Sequence, residues 1–374
     1  MSFRYGSGIN KPGFNALAAQ TSTTTYESTI FAWGRNEYGQ LALGNTTYYS
    51  SPKQIGATTT WSKVAVSFYQ MRAIKTDGTL WTWGYNSNGA LGVGNTVNRS
   101  SPTQVGALTS WLDVAGGRYH GVATTTGGTL YAWGLNSDGQ LGLGNITAYS
   151  SPKQVGALTT WLKVAAGDYF SSAIKTDGTL WTWGNNQFGQ LGLGGVTYYS
   201  SPKQVGALTT WSTVSCGQRY TLAIKTDGTL WSWGFNGSGQ LGDGTATQRN
   251  SPVQVGLLTA WAKCTGGQAS TLAVKTDGTF WSWGENSVGE LGLGNTTGYS
   301  SPKQVGALTT WATPDSGRFH SVAIKTDGTL WVWGGGSNGA LGLGNVTNYS
   351  SPKQVGALTT WYIVSAGYNI TCAG

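Results

Sequence analysis

Residues 161–210 read WLKVAAGDYFSSAIKTDGTLWTWGNNQFGQLGLGGVTYYSSPKQVGALTT, and this unit decides the fold because the chain repeats it. Trp33, Trp83, Trp133, Trp183, Trp233, Trp283 and Trp333 each precede a glycine and step by 50 residues. Pro52, Pro102, Pro152, Pro202, Pro252, Pro302 and Pro352 keep the same step. A period of this length, with no insertion or deletion, marks a solenoid or a propeller. The unit parses into four strands: WLKVAA (A), SSAIKT (B), TLWTWG (C) and SPKQVG (D). Asp-Gly in KTDGT reads as a two-residue hairpin between B and C. Trp181 and Trp183 alternate with Leu180 and Thr182, as in a buried strand. Pro202 opens strand D, where an edge strand tolerates the missing N–H. Four strands per unit set around an axis is the propeller plan.

Residues 25–374 hold seven whole units, phased so that one blade is split between the two ends of the chain. Its strands A and B fall in 361–374, and its strands C and D lie near Thr29 to Trp33 and from Pro52 onward. That arrangement predicts a closed, all-β, seven-bladed propeller over 25–374 with no free sheet edge at the join. An open array would need capping repeats, and none is present.

Composition agrees. Charged residues are only 10% of the 374, against 59 glycines and 19 tryptophans, which suits a turn-rich β protein and not a disordered one. The formal charge of +8 permits an anionic partner without requiring one. Cys216, Cys264 and Cys372 are too few and too scattered for a disulfide framework or a zinc site, and read as small buried hydrophobes. No apolar run is long enough to span a membrane, and the first residues lack the layout of a signal peptide. Neither membrane insertion nor an export signal is expected.

The chemistry of an enzyme is missing. His120 and His320 occupy one slot four units apart, on opposite sides of the ring, so they form no dyad or metal cluster. Asp77, Asp177, Asp227, Asp277 and Asp327 are the turn residues of KTDGT. The glycine-rich segments lack the Lys-Ser/Thr of a phosphate loop. We expect no catalytic residue, metal or cofactor.

GGRYHGVA (116–123) and SGRFHSVA (316–323), together with WGxNxxGQLG and SPxQV, resemble the regulator of chromosome condensation repeat over residues 25–374. The resemblance implies the seven-bladed fold. The founding member exchanges nucleotide on a small GTPase and binds chromatin, using a wedge-like insertion for the first and a basic tail for the second. Here no unit carries an insertion, and residues 1–24 hold only Arg4 and Lys11 as basic groups. Exchange activity and nucleic-acid binding are therefore not expected, and fold alone would not establish them.

The seven copies differ in two places. The A–B turns read SFYQ, GRYH, GDYF, GQRY, GQAS, GRFH and GYNI, and the residue after WG is Arg35, Tyr85, Leu135, Asn185, Phe235, Glu285 or Gly335. The C–D loop varies again before SSP. In an up-and-down blade both segments emerge on one face of the disc, while the constant KTDGT and ALTTW segments emerge on the other. We expect the varied face to carry recognition. Its candidates are Arg35, Tyr85, Arg118, Tyr119, Phe170, Phe188, Arg219, Tyr220, Phe235, Arg318 and Phe319, of the residue types that dominate hot spots. Lys75, Lys175, Lys225, Lys275 and Lys325 each lie two residues from a hairpin Asp that should neutralise them. Lys53, Lys153, Lys203, Lys303 and Lys353 should form a solvated positive rim, able to draw anionic glycans or an acidic protein surface.

Residues 1–24 stand outside the repeats as an extended arm, with Phe3, Arg4, Tyr5, Lys11 and Phe14 as anchoring candidates. The opening MSFRYGSGINKPGFNAL resembles the start of virion structural proteins of marine cyanobacterial phages. The leading expectation is thus a non-enzymatic virion protein, a tail fibre, appendage or capsid decoration. Its partners would be other virion subunits, a second copy of itself, or a host-surface glycan or protein. The alternatives are a bacterial surface adhesin or cytoplasmic scaffold, and a GTPase regulator of the chromosome condensation type.

Overall fold

The computed structural model describes residues 29–57, 60–257 and 259–374. The arm candidates Phe3, Arg4, Tyr5, Lys11 and Phe14 lie outside the described residues. Seven four-stranded antiparallel sheets follow one another along the chain. We number six of them blades 1 to 6, starting at Trp61, Trp111, Trp161, Trp211, Trp261 and Trp311. Blade 7 takes its inner strands, Val364–Ala366 and Ile370–Ala373, from the C-terminal end and its outer strands, Phe31–Gly34 and Tyr49–Gln54, from near the start. Phe31 pairs with Ala373 and Gly34 with Ile370, so the split blade closes the ring as expected.

The core lies between blades. Each junction holds one apolar cluster, because both faces of a blade meet a neighbour. Trp183 packs with Val122, Leu130 and Val155 of blade 2, while Leu180 on the opposite face meets Trp211 and Trp233 of blade 4. The expected alternation in strand C is therefore correct, with both of its faces dry. The indole N–H of each Trp-Gly tryptophan donates to the carbonyl of the preceding C–D loop, as in Trp83 to Gln40 at 2.9 Å and Trp183 to Gln140 at 2.9 Å. Trp33 makes the same bond to Ala340 across the closure, at 2.9 Å. Gly142, at φ +72°, explains the LGLG motif: a Cβ there would lie 2.8 Å from the Trp183 indole nitrogen.

Two local expectations need correction. The KTDGT hairpin is a three-residue loop. Gly78 N–H donates to Lys75 O and Lys75 N–H to Thr79 O, both at 2.9 Å, and only the glycine takes positive φ. A two-residue type I′ turn would require positive φ at Asp77 as well. Asp77 does act as a turn residue, accepting from the Thr79 N–H at 2.9 Å and its hydroxyl at 2.6 Å. Second, the hairpin lysines are held by tryptophan faces. Lys175 lies 3.8 Å from the Trp181 ring centre and 4.8 Å from that of Trp161. The rim lysines are exposed as expected, and Lys53 and Lys153 also sit 5.3 and 5.4 Å over Tyr49 and Tyr149.

Candidate protein-binding face

The A–B turn fixes what can reach solvent. Gly117 N–H donates to His120 O at 3.0 Å, and Gly167 and Gly217 repeat the bond to Phe170 and Tyr220. Residues one and four of each turn are thus paired, and only residues two and three form its tip. The fourth slot starts strand B and points between blades. Phe170 and Tyr220 are fully buried there, which corrects their place among the recognition candidates. The Tyr220 hydroxyl donates to Ser270 O at 2.6 Å.

His120 and His320 share that slot. Ser171 spends its hydroxyl proton on Gln140 O at 2.9 Å, so His120 Nε2, at 2.9 Å from Ser171 Oγ, must be the donor. Thr371, bonded to Ala340 O at 2.8 Å, fixes His320 the same way. Burial depresses the two imidazoles to about 3 and about 4, with Arg72 adding to the effect on His120. Arg72 is itself fully buried, and its Nη2 donates to Ala90 O and His120 O, both at 3.0 Å, joining blades 1 and 2. Cys372 is buried, whereas Cys216 and Cys264 are only partly covered; burial raises all three thiols to about 12.

The turn tips surround one mouth of a central channel of about 310 Å³. Its innermost ring of side chains is Phe68, Arg118, Asp168, Gln218, Gln268, Arg318 and Tyr368. Backbone bonds link neighbouring tips, as in Arg118 N–H to Asp168 O and Asp168 N–H to Gln218 O, both 3.1 Å. The expected common face for the A–B and C–D segments is correct, since Tyr85 N–H and Leu135 N–H bond to Tyr69 O and Tyr119 O at 2.9 Å.

Aromatic and arginine side chains are concentrated on one arc of this face. Phe68 stacks on Tyr368 at 5.2 Å, and Tyr69 lies 5.4 Å from both Tyr368 and Tyr38. Tyr85 continues the chain at 4.7 Å from Tyr38 and 5.9 Å from Tyr119, and Tyr169 follows at 6.4 Å. Arginines lie over these rings: Arg35 over Tyr69 and Tyr368 at 5.1 Å, Arg118 over Phe68 at 4.7 Å, Arg318 over Tyr368 at 4.4 Å and Phe319 at 4.6 Å. Phe188, Phe235 and Arg219 form a separate group on blades 3 and 4, with the two rings 5.1 Å apart. Tyr38, Phe68, Tyr69, Tyr169 and Tyr368 were not among the sequence candidates, although four of them lie in the varied turns and occupy their second and third slots.

Acidic groups are sparse in the arc. Glu37 pairs with Arg35 at 2.6 Å. Burial pushes the Asp168 carboxyl up to about 7 against the pull of Arg118, whose Nη1 is 3.9 Å away. Among the described residues no group of three or more His, Cys, Asp or Glu side chains is placed to hold a metal. Nor is any helix there long and apolar enough to cross a membrane.

The family model described as the RCC1-like domain matches residues 163–373. That for the regulator of chromosome condensation (RCC1) repeat matches 27–68, 77–124 and 127–174. The chain belongs to the regulator of chromosome condensation repeat family. No curated protein sequence matches it. Human WBSCR16 shares its fold at a TM-score of 0.84 and 20% identity, over 92% of this chain and 98% of that one. Prp20p from Saccharomyces cerevisiae, whose structure was described with its binding to Gsp1p and histones, aligns at a TM-score of 0.82 and 22% identity over 92% and 91%. Yeast RCC1 (Prp20) bound to Kap60 gives 0.83 and 21% over 100% and 96%.

These findings overturn the leading expectation of a phage virion protein. The matched repeats and the similar structures belong to the chromosome condensation type, and none of them is a virion protein. Virion subunits and host glycans have no support as partners.

Proposed function

We propose that the propeller is a non-catalytic protein-binding module that regulates a small GTPase, engaging it through the loop face. The observation that carries this reading is the aromatic and arginine arc from Tyr38 to Tyr169, lying on one side of the channel mouth. Tyr and Arg dominate interface hot spots, and rigid aromatic rings lose little entropy on contact. The arc lies on a scaffold whose blades pack face to face through apolar clusters, so little reorganisation opposes binding. Prp20p and its binding to Gsp1p supply the class of partner. No insertion breaks the fifty-residue period, so the loops themselves would have to act on the partner.

The test is release of a fluorescent guanine nucleotide from a panel of small GTPases, with a binding titration alongside. The reading expects at least one GTPase to bind and to change its release rate, and Arg118→Ala with Tyr119→Ala to lose both effects. Binding without a rate change would remove the regulatory part. Absence of binding across the panel would remove the GTPase as partner.

A further inference from the structure

Away from the aromatic arc, a groove of about 480 Å³ runs between the C–D loops of blades 4 and 5. Gly237, Ala246, Glu285, Thr296, Gly298 and Tyr299 line it. Gly237 and Gly298 are each the one glycine in their slot. The other six copies place Glu, Gln or Ser where Gly237 stands, and Tyr, Asn, Gln or Ala where Gly298 stands. Two side chains are thus lost on the facing loops of a single junction, and the cleft opens there. The Phe235 ring borders it, since a Cβ on Gly237 would lie 2.7 Å from that ring. Phe235 meets Phe188 at 5.1 Å, so an apolar shelf leads up to the groove.

The groove carries an acid without a cation. Glu285 stands in the slot that Arg35 holds on the arc, and its Oε1 accepts from the Ser287 hydroxyl at 3.1 Å. Neither loop, 235–248 or 285–298, contains a lysine or an arginine. Arg249, which opens the outer strand of blade 4, is bonded to Asp243 at 2.7 Å. Lys303 is held 5.2 Å over the ring of Tyr299. Among the described residues no cation lies within ion-pair distance of Glu285.

From the paired loss of side chains and the unpaired carboxylate we infer that this groove docks an arginine side chain of a protein partner, with an adjoining apolar residue resting on Phe188 and Phe235. A planar guanidinium can give two parallel N–H donors to the Glu285 carboxylate and lay its face on the Phe235 ring, a combination closed to an ammonium. The net charge of +8 opposes a basic segment only at long range, because salt screens it beyond about 8 Å under physiological conditions. The arc presents arginines and the groove a carboxylate, so the two sites on this face select opposite charges.

The experiment is calorimetric titration of the full chain with acetyl-Leu-Arg-Leu-amide, and separately with the same peptide carrying citrulline, which keeps the shape and loses the charge. Saturable binding of the arginine peptide is expected, about tenfold or more tighter than that of the citrulline peptide. Glu285→Gln should weaken the arginine peptide about tenfold or more and erase its advantage over citrulline. Ala246→Ile, which introduces the residue blade 2 has in this slot, narrows the groove without changing charge and should weaken binding about threefold or more. Glu37→Gln, on the arc, should leave it unchanged. Melting points without peptide establish that each variant is folded. Absence of saturable binding, equal affinity for the citrulline peptide, or equal weakening by Glu37→Gln would overturn the inference. None of these readings involves a GTPase, so the result is independent of the partner proposed for the arc.

Discussion

The two faces of the disc are made from the same repeat and differ in what holds them. On the face carrying KTDGT and ALTTW the hairpin is tied both to the connector that enters its own blade and to the start of the next blade. Trp111 N–H bonds Gly78 O at 3.0 Å and Thr76 N–H bonds Thr60 O at 2.8 Å. A Cβ on Gly178 would sit 2.2 Å from Thr209 O, so that glycine is required by packing. On the loop face the second and third turn residues are tied through their backbones alone, as in Arg118 N–H to Asp168 O and Tyr85 N–H to Tyr69 O, which leaves their side chains free to vary. The constancy of KTDGT and ALTTW therefore has a structural cause, and variability alone does not mark recognition. The proposed recognition rests on chemistry instead: the second and third slots hold contiguous aromatic rings and arginines on one arc.

The most severe way to break the comparison is to delete 361–374, which removes both inner strands of blade 7 and the partners of Phe31–Gly34. Both faces should fail together, with loss of cooperative unfolding by calorimetry and aggregation on size exclusion. A soluble truncated chain with an unchanged melting point would contradict ring closure. Next in size, Phe170→Ala should cost about 3–5 kcal/mol of stability as a core truncation. Exposed Arg219→Ala should stay within about 0.5 kcal/mol. Denaturant unfolding separates the two, and equal costs would undo the distinction between the third and fourth turn slots.

That distinction shows where the sequence was readable and where it was not. The fifty-residue step, the Trp-Gly pairs and the proline spacing express contacts repeated at every junction, so blade count, closure and face assignment could be deduced. Phe170 and Tyr220 were misread because the four variable letters of the turn conceal a change of direction. Position four varies as a core slot refilled by Gln70, His120, Phe170, Tyr220, Ser270, His320 and Ile370. Tyr368 escaped notice because it meets Phe68 and Tyr69 only through ring closure, about 300 residues away in the chain, and Tyr38 because its ring partners Tyr69 and Tyr85 belong to the next blade. Arg72 occurs once, and its partners Ala90 and His120 lie on other segments, so no periodic signal announced it.

A smaller effect concerns acid. His120 and His320 are neutral in the fold, with pKa values of about 3 and about 4 against an ordinary 6.5. The unfolded chain therefore binds more protons as pH falls below 6.5, and the fold loses stability down to about pH 4. Replacing both by Phe, the residue blade 3 uses in this slot, should reduce that loss by about 1 kcal/mol per histidine between pH 6.5 and 5.5. The difference between wild type and variant is the quantity to measure, because Asp168, raised to about 7, contributes with opposite sign. A variant whose melting point falls with pH as steeply as the wild type would contradict the buried neutral tautomers.

The central claim is that recognition belongs to the loop-face arc, and the most direct test is the bound footprint on the propeller. Hydrogen exchange with and without a captured small GTPase, read peptide by peptide, reports both faces at once. The account predicts protection in the A–B turns of blades 7, 1, 2 and 3 around Tyr368, Tyr69, Tyr119 and Tyr169, and in the loops carrying Tyr38 and Tyr85. Alanine at the true hot spots among them should cost about 2 kcal/mol or more of binding, against almost nothing at Lys75 or Lys225. Protection confined to the KTDGT and ALTTW segments, or to the outer strands, would contradict it.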